Sequence, residues 1–351
     1  MRRRHKFLII AALLQIPLFA YPILRLCHWL GLDHWQTALV FLPLFFSQII
    51  ASLYLRHANS GLLFWLRRAA DLWLGISLPL LLMVIASETP VAIGLITGSV
   101  AAQGLIGLTL ALVTYSVVNA YSPSVVTVQL TSRKLSRPLR FVQITDVHIG
   151  SRSPNFLARV MKQVTKHEVD FVCITGDFID APNVSEKDLS ALLSCPSPIY
   201  FSIGNHERYE DLEDIVQRLQ RLGVTVLRSQ TSVQGEVQLI GIDDSERANQ
   251  VEQEIAGLKI DPKRFVLLLY HRPRGLEAAA NAGVDLMISG HTHNGQIVPF
   301  NFVVRRVFDR AVGLFNEGLT QLYVSPGTGT WGPIMRLGSR GEITLFEVQP
   351  G

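Results

Sequence analysis

The stretch Arg140-Phe-Val-Gln-Ile-Thr-Asp-Val-His148 decides the fold. Its first six residues include Phe, Val, Ile and Thr, the aromatic and β-branched types that favour strands, and they run directly into Asp146 and His148. Both of these side chains are ligands of divalent cations in proteins. The same arrangement, a short apolar run followed at once by Asp, Asn, His or Gly, recurs further along the chain. From residue 140 onward the sequence therefore predicts an α/β sandwich that carries a polar site.

Eight apolar runs in this part of the chain predict β-strands. They are Arg140–Thr145, Phe171–Thr175, Ile199–Ile203, Val237–Ile242, Phe265–Tyr270, Asp285–Ser289, Gln321–Ser325 and Glu342–Val348. Five of these runs end on polar clusters, which we expect on one rim of the sheets, where α/β folds bind ligands. The clusters are Asp146-Val-His148, Gly176-Asp177, Gly204-Asn-His-Glu207, Tyr270-His271 and Gly290-His-Thr-His293. Carboxylate and imidazole donors without a thiolate suit Mn²⁺, Fe or Zn²⁺.

The ordered set of clusters resembles the calcineurin-like metallophosphoesterase superfamily over about residues 140–348. A single Asp-x-His or Gly-Asp pair would carry no information about the family. Five such clusters in the family's order, each after an apolar strand, are specific for it. The resemblance implies a two-sheet α/β/β/α sandwich that hydrolyses a phosphate ester or anhydride. It also implies two divalent cations, with Mn²⁺ preferred, and a hydroxide shared by the cations as the nucleophile.

The resemblance further implies which residues hold the cations. The ligands of one cation would be Asp146, His148, His293 and a bridging Asp177. The ligands of the other would be Asp177, Asn205, His271 and His291. His206 resembles the family's histidine that protonates the leaving oxygen without binding metal. Taken singly, an Asp after a strand could be a helix N-cap and His271 a solvated loop residue, so the assignment depends on the complete set.

Three acidic residues near these clusters have less specific interpretations. Glu207 follows His206 and is expected to orient the rim or the substrate. Asp243 and Asp244 follow the predicted strand Val237–Ile242, and they indicate a turn or, alternatively, residues that support the site from behind the ligands.

The first 120 residues have the composition of a membrane unit. Four hydrophobic stretches are each long enough to cross a bilayer core of about 30 Å. They are Phe7–Leu30, Ala38–Leu55, Ala69–Ala86 and Val91–Ala120. We therefore predict a four-helix transmembrane anchor in residues 1–120, a basic juxtamembrane linker in residues 121–139 and a catalytic domain in residues 140–351. Few polar residues lie inside the stretches, which favours anchoring over transport.

Charge is distributed unevenly along the chain. Residues 1–120 hold 8 of the 32 Lys and Arg but only 3 of the 28 Asp and Glu, so the pI of 9.0 is a property of the anchor. The catalytic half has no basic stripe with interleaved aromatics, which argues against nucleic acid as a partner. Basic residues before the first stretch, between the second and third, and after the fourth predict a cytoplasmic catalytic domain. The expected location is a bacterial inner membrane, crossed several times.

The segment Ile297–Phe308 is apolar, follows two ligands and contains Arg305 and Arg306. It predicts either a core hairpin or a cap that reaches the lipid interface and admits an acylated substrate. In the second case the two arginines would meet phosphates or anionic headgroups.

The substrate is suggested by the membrane anchor and by the branch of the superfamily. The motif His291-Thr-His-Asn-Gly-Gln296 and the closing residues 326–345 resemble a small bacterial branch that often has an N-terminal membrane segment, although Asn294 stands where glycine is commoner. We favour a lipid-linked phosphate ester or pyrophosphate, such as the UDP-2,3-diacylglucosamine that related enzymes cleave in lipid A synthesis. A tethered phosphodiesterase for a soluble substrate and a non-catalytic membrane scaffold are the alternatives. The sequence gives no indication of the oligomeric state.

Overall fold

A computed structural model describes residues 15–55, 61–182 and 184–351 of the chain. The chain divides into two compact units. The first contains the described residues up to Val118 together with two short later segments, Ile297–Pro299 and Gly332–Leu337. The second contains Asn119–Gln296, Phe300–Trp331 and Gly338–Gly351.

The first unit is built from helices. After one turn of π-helix, Ile16–Ala20, they are α1 (Tyr21–Trp29), α2 (His34–Tyr54), α3 (Gly61–Ala92) and α4 (Gly98–Ala120). A capping box starts α2, because the Asp33 carboxylate accepts from the Gln36 backbone N–H at 2.8 Å while the Gln36 side chain accepts from the Asp33 N–H. Among the described residues, α2, α3 and α4 are long and apolar enough to cross a membrane.

The number and ends of these helices differ from the prediction. Three of the four predicted spans are found in the described part of the chain. The described part of the stretch Phe7–Leu30 is too short to cross a bilayer alone, and residues 7–14 lie outside the described ranges. The predicted break at Ser87–Pro90 is wrong, because α3 continues to Ala92. It ends before Gly94, which has a φ of 73°. Glycine adopts this left-handed conformation readily, whereas it costs free energy for most other residues, so glycine is common just after a helix.

Within the first unit, the two late segments pack against the helices. A Cβ atom on Gly75 of α3 would lie 2.8 Å from Met335 Sδ and 3.1 Å from Pro333 Cβ, so only glycine leaves room for this contact. The backbone N–H of Arg336 donates to the carbonyl oxygen of Ser116 on α4 at 2.9 Å. These contacts explain why residues distant in sequence belong to the helical unit.

The second unit contains twelve strands and six α-helices in its described residues, together with three short 3-10 helices. The strands are β1 (Ser124–Ser132), β2 (Leu139–Ile144), β3 (Phe171–Thr175), β4 (Ile199–Ser202), β5 (Thr225–Val226), β6 (Gln230–Gln234), β7 (Val237–Ile242), β8 (Phe265–Tyr270), β9 (Leu286–Ser289), β10 (Gly313–Glu317), β11 (Thr320–Val324) and β12 (Glu342–Pro350). The helices are α5 (Pro154–Val164), α6 (Glu186–Leu189), α7 (Leu212–Arg221), α8 (Gln250–Ile255), α9 (Leu276–Asn281) and α10 (Phe300–Val307).

The strands form two six-stranded sheets, in the orders β1-β12-β2-β3-β4-β5 and β10-β11-β9-β8-β7-β6. In the first sheet β2, β3, β4 and the edge strand β5 run parallel to one another, and in the second sheet β7, β8, β9 and β11 do so. Phe141 and Phe346 of the first sheet stack with ring centroids 4.6 Å apart, in a core shared with Leu267 and Ile288 of the second. Helices cover the outer faces, and the predicted α/β/β/α sandwich is thus confirmed.

All eight predicted strands are present, with ends within two residues of the prediction. Four strands, β1, β5, β6 and β10, were not predicted. The segment predicted as a linker, 121–139, contains β1, which pairs in parallel with β12 over nine residues and is therefore part of the sheet.

Candidate metal centre

The fold brings the five polar clusters to one edge of the two sheets. The clusters follow the carboxyl ends of β2, β3 and β4 in the first sheet and of β8 and β9 in the second. Because these strands are parallel within each sheet, the loops after them emerge on the same side. The strands β3 and β8, at the centre of the two sheets, are buried on both faces, so the loops after them are held by a rigid support.

Seven of the eight predicted catalytic and ligand residues form three overlapping groups, in each of which donor atoms lie within 4.8 Å of one another. The groups are Asp146, His148 and His293; His148, Asp177 and His206; and Asp177, His271 and His291. The shortest approaches are 3.0 Å from His271 Nε2 to Asp177 Oδ2 and 3.2 Å from His148 Nε2 to His293 Nε2. Asp177 belongs to two groups, which fits the bridging position expected for it.

Asn205 supplies an independent test of whether these residues fit a cation. Its side chain is buried, and its Oδ1 atom has no hydrogen-bond partner among the described residues. A buried carbonyl oxygen without a partner costs free energy. A cation ligated by this atom would remove that cost, so the donor set fits the expected metal.

Five of the seven predicted ligands have a left-handed backbone. Their φ angles lie between 49° and 71° at Asp146, His148, Asp177, His291 and His293. Such angles are uncommon for residues other than glycine and cost free energy that the surrounding structure must offset. Strain concentrated at these positions indicates that the loops are folded to aim these side chains.

Close approaches of the loop backbones leave no space for side chains at two glycines. A Cβ atom on Gly204 would lie within 2.3 Å of Asp177 Oδ1, and one on Gly290 within 2.2 Å of Asp146 Oδ2. These glycines therefore let the carboxylates of Asp177 and Asp146 pack directly against the neighbouring backbone.

Two of the histidines have partners that fix their rings. His148 Nδ1 lies 3.1 Å from Asp180 Oδ2, and Asp180 Oδ1 in turn accepts from the Ser151 N–H at 2.8 Å. His271 Nδ1 lies 2.8 Å from the carbonyl oxygen of Thr175. In each case the bond to Nδ1 leaves Nε2 directed at the site. Asp180 was not predicted from the sequence, although its position three residues after Asp177 was a usable signal.

Glu207 connects the loops after β3 and β4. Its carboxylate is fully buried and accepts four backbone hydrogen bonds of 2.6–3.0 Å. The donors are the N–H groups of Asp177, Phe178, Ile179 and Gly204. Burial and the nearby Asp177 charge raise the pKa of Glu207 to about 7. Of the two roles predicted for Glu207, the geometry supports orientation of the rim.

The electrostatics of the site suit a cation. Burial alone would raise the pKa of Asp177, but His271 and His148 hold it well below its usual value. Burial would lower the pKa of His271, yet the Asp177 and Asp146 carboxylates raise it to about 10. Burial, His271 and two arginines together lower the pKa of His291 to about 2. The Asp177 carboxylate is thus stabilised by positive charge beside it, while His291 keeps a free lone pair for metal binding.

His206 lies at the edge of the same cluster. Its backbone N–H donates to Asp177 Oδ1 at 2.8 Å, and its Nε2 lies 4.0 Å from Asp177 Oδ2. Its ring stands nearly perpendicular to that of His148, with centroids 4.8 Å apart. The ring is therefore next to the predicted ligands, where a proton donor would need to be, although its donor atom is also within 4.8 Å of those of His148 and Asp177.

The segment after the last ligands folds as the helix α10, so the predicted core hairpin is wrong. Four of its five apolar residues, Phe300, Val303, Val304 and Val307, are spaced for one face of a helix, a pattern that the residue composition alone did not reveal. Arg305 Nε donates to Asn294 Oδ1 at 3.2 Å, which puts this arginine beside the ligand loop. Arg306 is exposed.

Asp243 and Asp244 differ in their surroundings. Asp244 is buried and accepts a hydrogen bond of 2.8 Å from Nε of Arg272, the residue directly after His271. Asp244 therefore supports the site from behind the predicted ligands. Asp243 lies 3.4 Å from both Arg208 and Arg228. The turn interpretation thus misses the role of Asp244.

The sequence model of the calcineurin-like phosphoesterase family matches residues 139–295. An uncharacterized metallophosphoesterase of Campylobacter jejuni is 31% identical over 259 residues, which are 70% of this chain and 68% of that protein. One of Helicobacter pylori is 32% identical over 230 residues, 62% of this chain and 61% of that protein. A transmembrane protein with a metallophosphoesterase domain from Danio rerio is 31% identical over 270 residues, which are 68% of this chain and 60% of that protein. The chain spans less than two thirds of the latter two relatives.

Proposed function

The chain belongs to the calcineurin-like metallophosphoesterase family of metal-dependent phosphoester hydrolases, and from this premise we propose that it hydrolyses a lipid-linked phosphate ester or pyrophosphate. The observation that carries the proposal is the cluster of buried carboxylates and imidazoles around Asp177. Next to the cluster lies a helix with an exposed apolar face.

The reaction would use the residues of the cluster in two ways. Asp146, His148, Asp177, Asn205, His271, His291 and His293 would hold two divalent cations, with Mn²⁺ preferred, which when bound polarise a phosphoryl group and activate water. His206 would give its proton to the leaving oxygen, a contribution of about 10²–10⁴-fold to the rate. Asp180 and Glu207 would hold the ligand loops in position.

The lipid character of the substrate is suggested by α10. This helix starts five residues after Gly295, whose backbone approaches Asn301 closely enough that a Cβ would lie 2.3 Å from the Asn301 Cα. Phe300, Val303 and Val307 share one face of α10 and are 49%, 50% and 67% exposed. Phe302 is 68% exposed on the side that carries the exposed Arg305 and Arg306. Exposed apolar side chains mixed with arginines are typical of surfaces that meet acyl chains and anionic headgroups.

The membrane setting supports the same substrate class. Three apolar helices and the transmembrane relatives indicate a membrane protein. We propose a bacterial inner membrane with the catalytic unit on the cytoplasmic side, since the described arginines Arg67 and Arg68 precede the apolar part of α3. UDP-2,3-diacylglucosamine, which carries a pyrophosphate and two acyl chains, is the substrate that we favour.

The proposal can be tested with the full chain, purified in detergent and supplied with Mn²⁺. We expect it to release UMP from UDP-2,3-diacylglucosamine and to cleave bis(p-nitrophenyl) phosphate as well. Cleavage of the chromogenic diester without release of UMP would reject this lipid substrate. It would still support phosphoester hydrolysis as the reaction. Cleavage of neither compound would reject the hydrolysis itself.

A pair of matched variants tests the role of α10. The change Phe302→Ser removes an exposed apolar side chain from α10, and we expect it to raise KM for the lipid substrate about 10-fold, as loss of one buried apolar side chain does. The diester should be cleaved as before. Leu319→Ser removes a fully exposed leucine from the β10–β11 turn and should change neither reaction. Equal effects of the two variants on the lipid substrate would contradict a role for α10.

A further inference from the structure

Arg274 lies beside the metal cluster without taking part in it. It follows the predicted ligand His271 by three residues, and its side chain is exposed. Its Cζ atom lies 5.9 Å from the ring centroid of Phe308, the residue after α10. The Phe308 ring is itself 5.7 Å from the His291 ring, at an interplanar angle of 78°. One phenyl ring thus touches both a ligand and this guanidinium group.

The charge of Arg274 is not neutralised within the described part of the chain. The neighbouring Arg272 forms a salt bridge, with its Nε 2.8 Å from Asp244. Arg208, two residues after His206, lies 3.4 Å from Asp243, and Arg310 lies 3.6 Å from Glu317. No carboxylate lies within 4 Å of the Arg274 guanidinium among the described residues, so its five N–H donors remain available to a ligand.

A second guanidinium group lies beside the same ligand loop. Arg305 donates to Asn294, which follows His293, and no carboxylate among the described residues lies within 4 Å of it. The loop from His291 to Asn294 therefore has one available arginine near each end. Guanidinium groups bind phosphate oxygens through two parallel hydrogen bonds, which a lone lysine cannot do.

We propose that Arg274 forms a subsite for a second phosphate of the substrate, the one next to the phosphate that is hydrolysed. The subsite selects diphosphates over substrates with one phosphate. It rests on the proposed function, because it takes the cluster of Asp177 as the place where hydrolysis occurs. The Phe308 ring holds the guanidinium near His291, and Arg305 contacts the substrate from its position beside Asn294.

Binding of non-hydrolysable probes tests the subsite separately from turnover. Methylenediphosphonate carries two linked phosphonates, and methylphosphonate carries one. Titration calorimetry of the Mn²⁺-loaded full chain in detergent should give tighter binding of the diphosphonate. In Arg274→Gln, we expect the affinity for the diphosphonate to fall about 10- to 100-fold, the usual effect of losing charge-assisted hydrogen bonds. The affinity for methylphosphonate should change less than about threefold, since this probe has no second phosphonate for the guanidinium to bind.

Two further variants complete the design. Arg274→Lys keeps the charge but not the paired hydrogen bonds, so its affinity for the diphosphonate should lie between those of the wild type and Arg274→Gln. Arg159→Gln is the matched control, because Arg159 is an exposed arginine of α5 whose Cζ lies 5.2 Å from the Tyr121 ring. This control should bind both probes like the wild type.

The outcomes separate the subsite from the proposed function. The subsite is overturned if Arg274→Gln loses affinity for both probes equally, or if it loses affinity for neither. Equal affinity of the wild type for the two probes overturns it as well. Failure of the wild type to cleave both bis(p-nitrophenyl) phosphate and UDP-2,3-diacylglucosamine overturns the proposed hydrolysis whatever the binding data show. Cleavage of the diester does not depend on the subsite, because that compound has no second phosphate.

Discussion

Single residues outside the ligand set control how the ligands are presented. Asp180 and the Thr175 carbonyl each hold the Nδ1 side of a histidine, so the opposite nitrogen faces the cluster. Carboxylate partners of this kind fix the ring and raise the basicity of the metal-binding nitrogen. The residues behind the ligands therefore contribute to metal affinity as well as to packing.

Replacing Asp180 should weaken metal binding. In Asp180→Asn the amide cannot stabilise His148 as the carboxylate does, and we expect the affinity for Mn²⁺ to fall about 10- to 100-fold. Calorimetric titration of the metal-free full chain with Mn²⁺ measures the change. Glu252→Gln, which alters an exposed carboxylate on α8, should leave the affinity unchanged. An Asp180→Asn variant that binds Mn²⁺ like the wild type would show that the ring of His148 is positioned by other contacts.

His206 should affect turnover and leave the metal content intact. We expect His206→Ala to lower kcat by about 10²–10⁴-fold, because the leaving oxygen loses its proton donor. Plasma mass spectrometry should find the same amount of metal as in the wild type. His167→Ala, which removes a histidine just after α5, serves as the control. Loss of metal together with activity would instead make His206 a ligand.

The sequence was informative about residues that lie in contiguous motifs after apolar strands. The clusters around Asp146, Asp177, Asn205 and His291 were all predicted to meet, and the structure brings them together. Arg274 could not be found in this way. Its position beside His291 depends on Phe308, which comes from a different part of the chain.

At the level of elements, Glu207 joins two loops that carry ligands. Its four hydrogen bonds connect the turn after β3 to the turn after β4. These N–H groups are buried and would be left without acceptors if the carboxylate were removed. The two loops are thus held as one element, although they belong to different strands.

Removing this carboxylate should destabilise the protein. Each buried donor left without a partner costs about 1–3 kcal/mol, so Glu207→Ala should lower stability by several kcal/mol. The midpoint of thermal unfolding, followed by circular dichroism of the full chain in detergent, should fall clearly below that of the wild type. Glu168→Ala, at an exposed position before β3, should keep the wild-type midpoint. Equal midpoints for the two variants would contradict the role of Glu207 in holding the loops.

The strands that the sequence did not predict share one property: β1, β5, β6 and β10 are the four edge strands of the two sheets. Central parallel strands are buried on both faces and appear as continuous apolar runs. Edge strands are partly exposed, as the alternating burial of β10 and β6 shows, so their sequences are less apolar. Hydrophobic patterning therefore recovers the centre of each sheet and misses its borders.

At the level of the whole molecule, the helical unit includes residues from the second half of the chain. Met335 packs at Gly75 of α3, and Arg336 donates to Ser116 of α4. No local pattern in the sequence predicts contacts between residues so far apart. The helices thus have a structural role within their unit, in addition to the anchoring that their composition predicts.

Deleting residues 1–118 should expose the segment Gly332–Leu337. Met335 and Arg336 are fully buried in the complete chain, and the deletion removes the helices that they contact within the first unit. We expect the shortened protein to be cut by proteases in this segment, as limited proteolysis and mass spectrometry would show. A shortened protein that resists cleavage there would show that the segment is stable without the helices.

The metal content of the active protein tests the central claim most directly. Plasma mass spectrometry of the purified full chain, with activity measured on the same sample, should find two divalent cations per chain. In Asp177→Asn, which weakens the carboxylate shared by both groups, the content and the activity should fall together. Full activity in protein that contains no bound cation would contradict the assignment of the cluster as a metal centre.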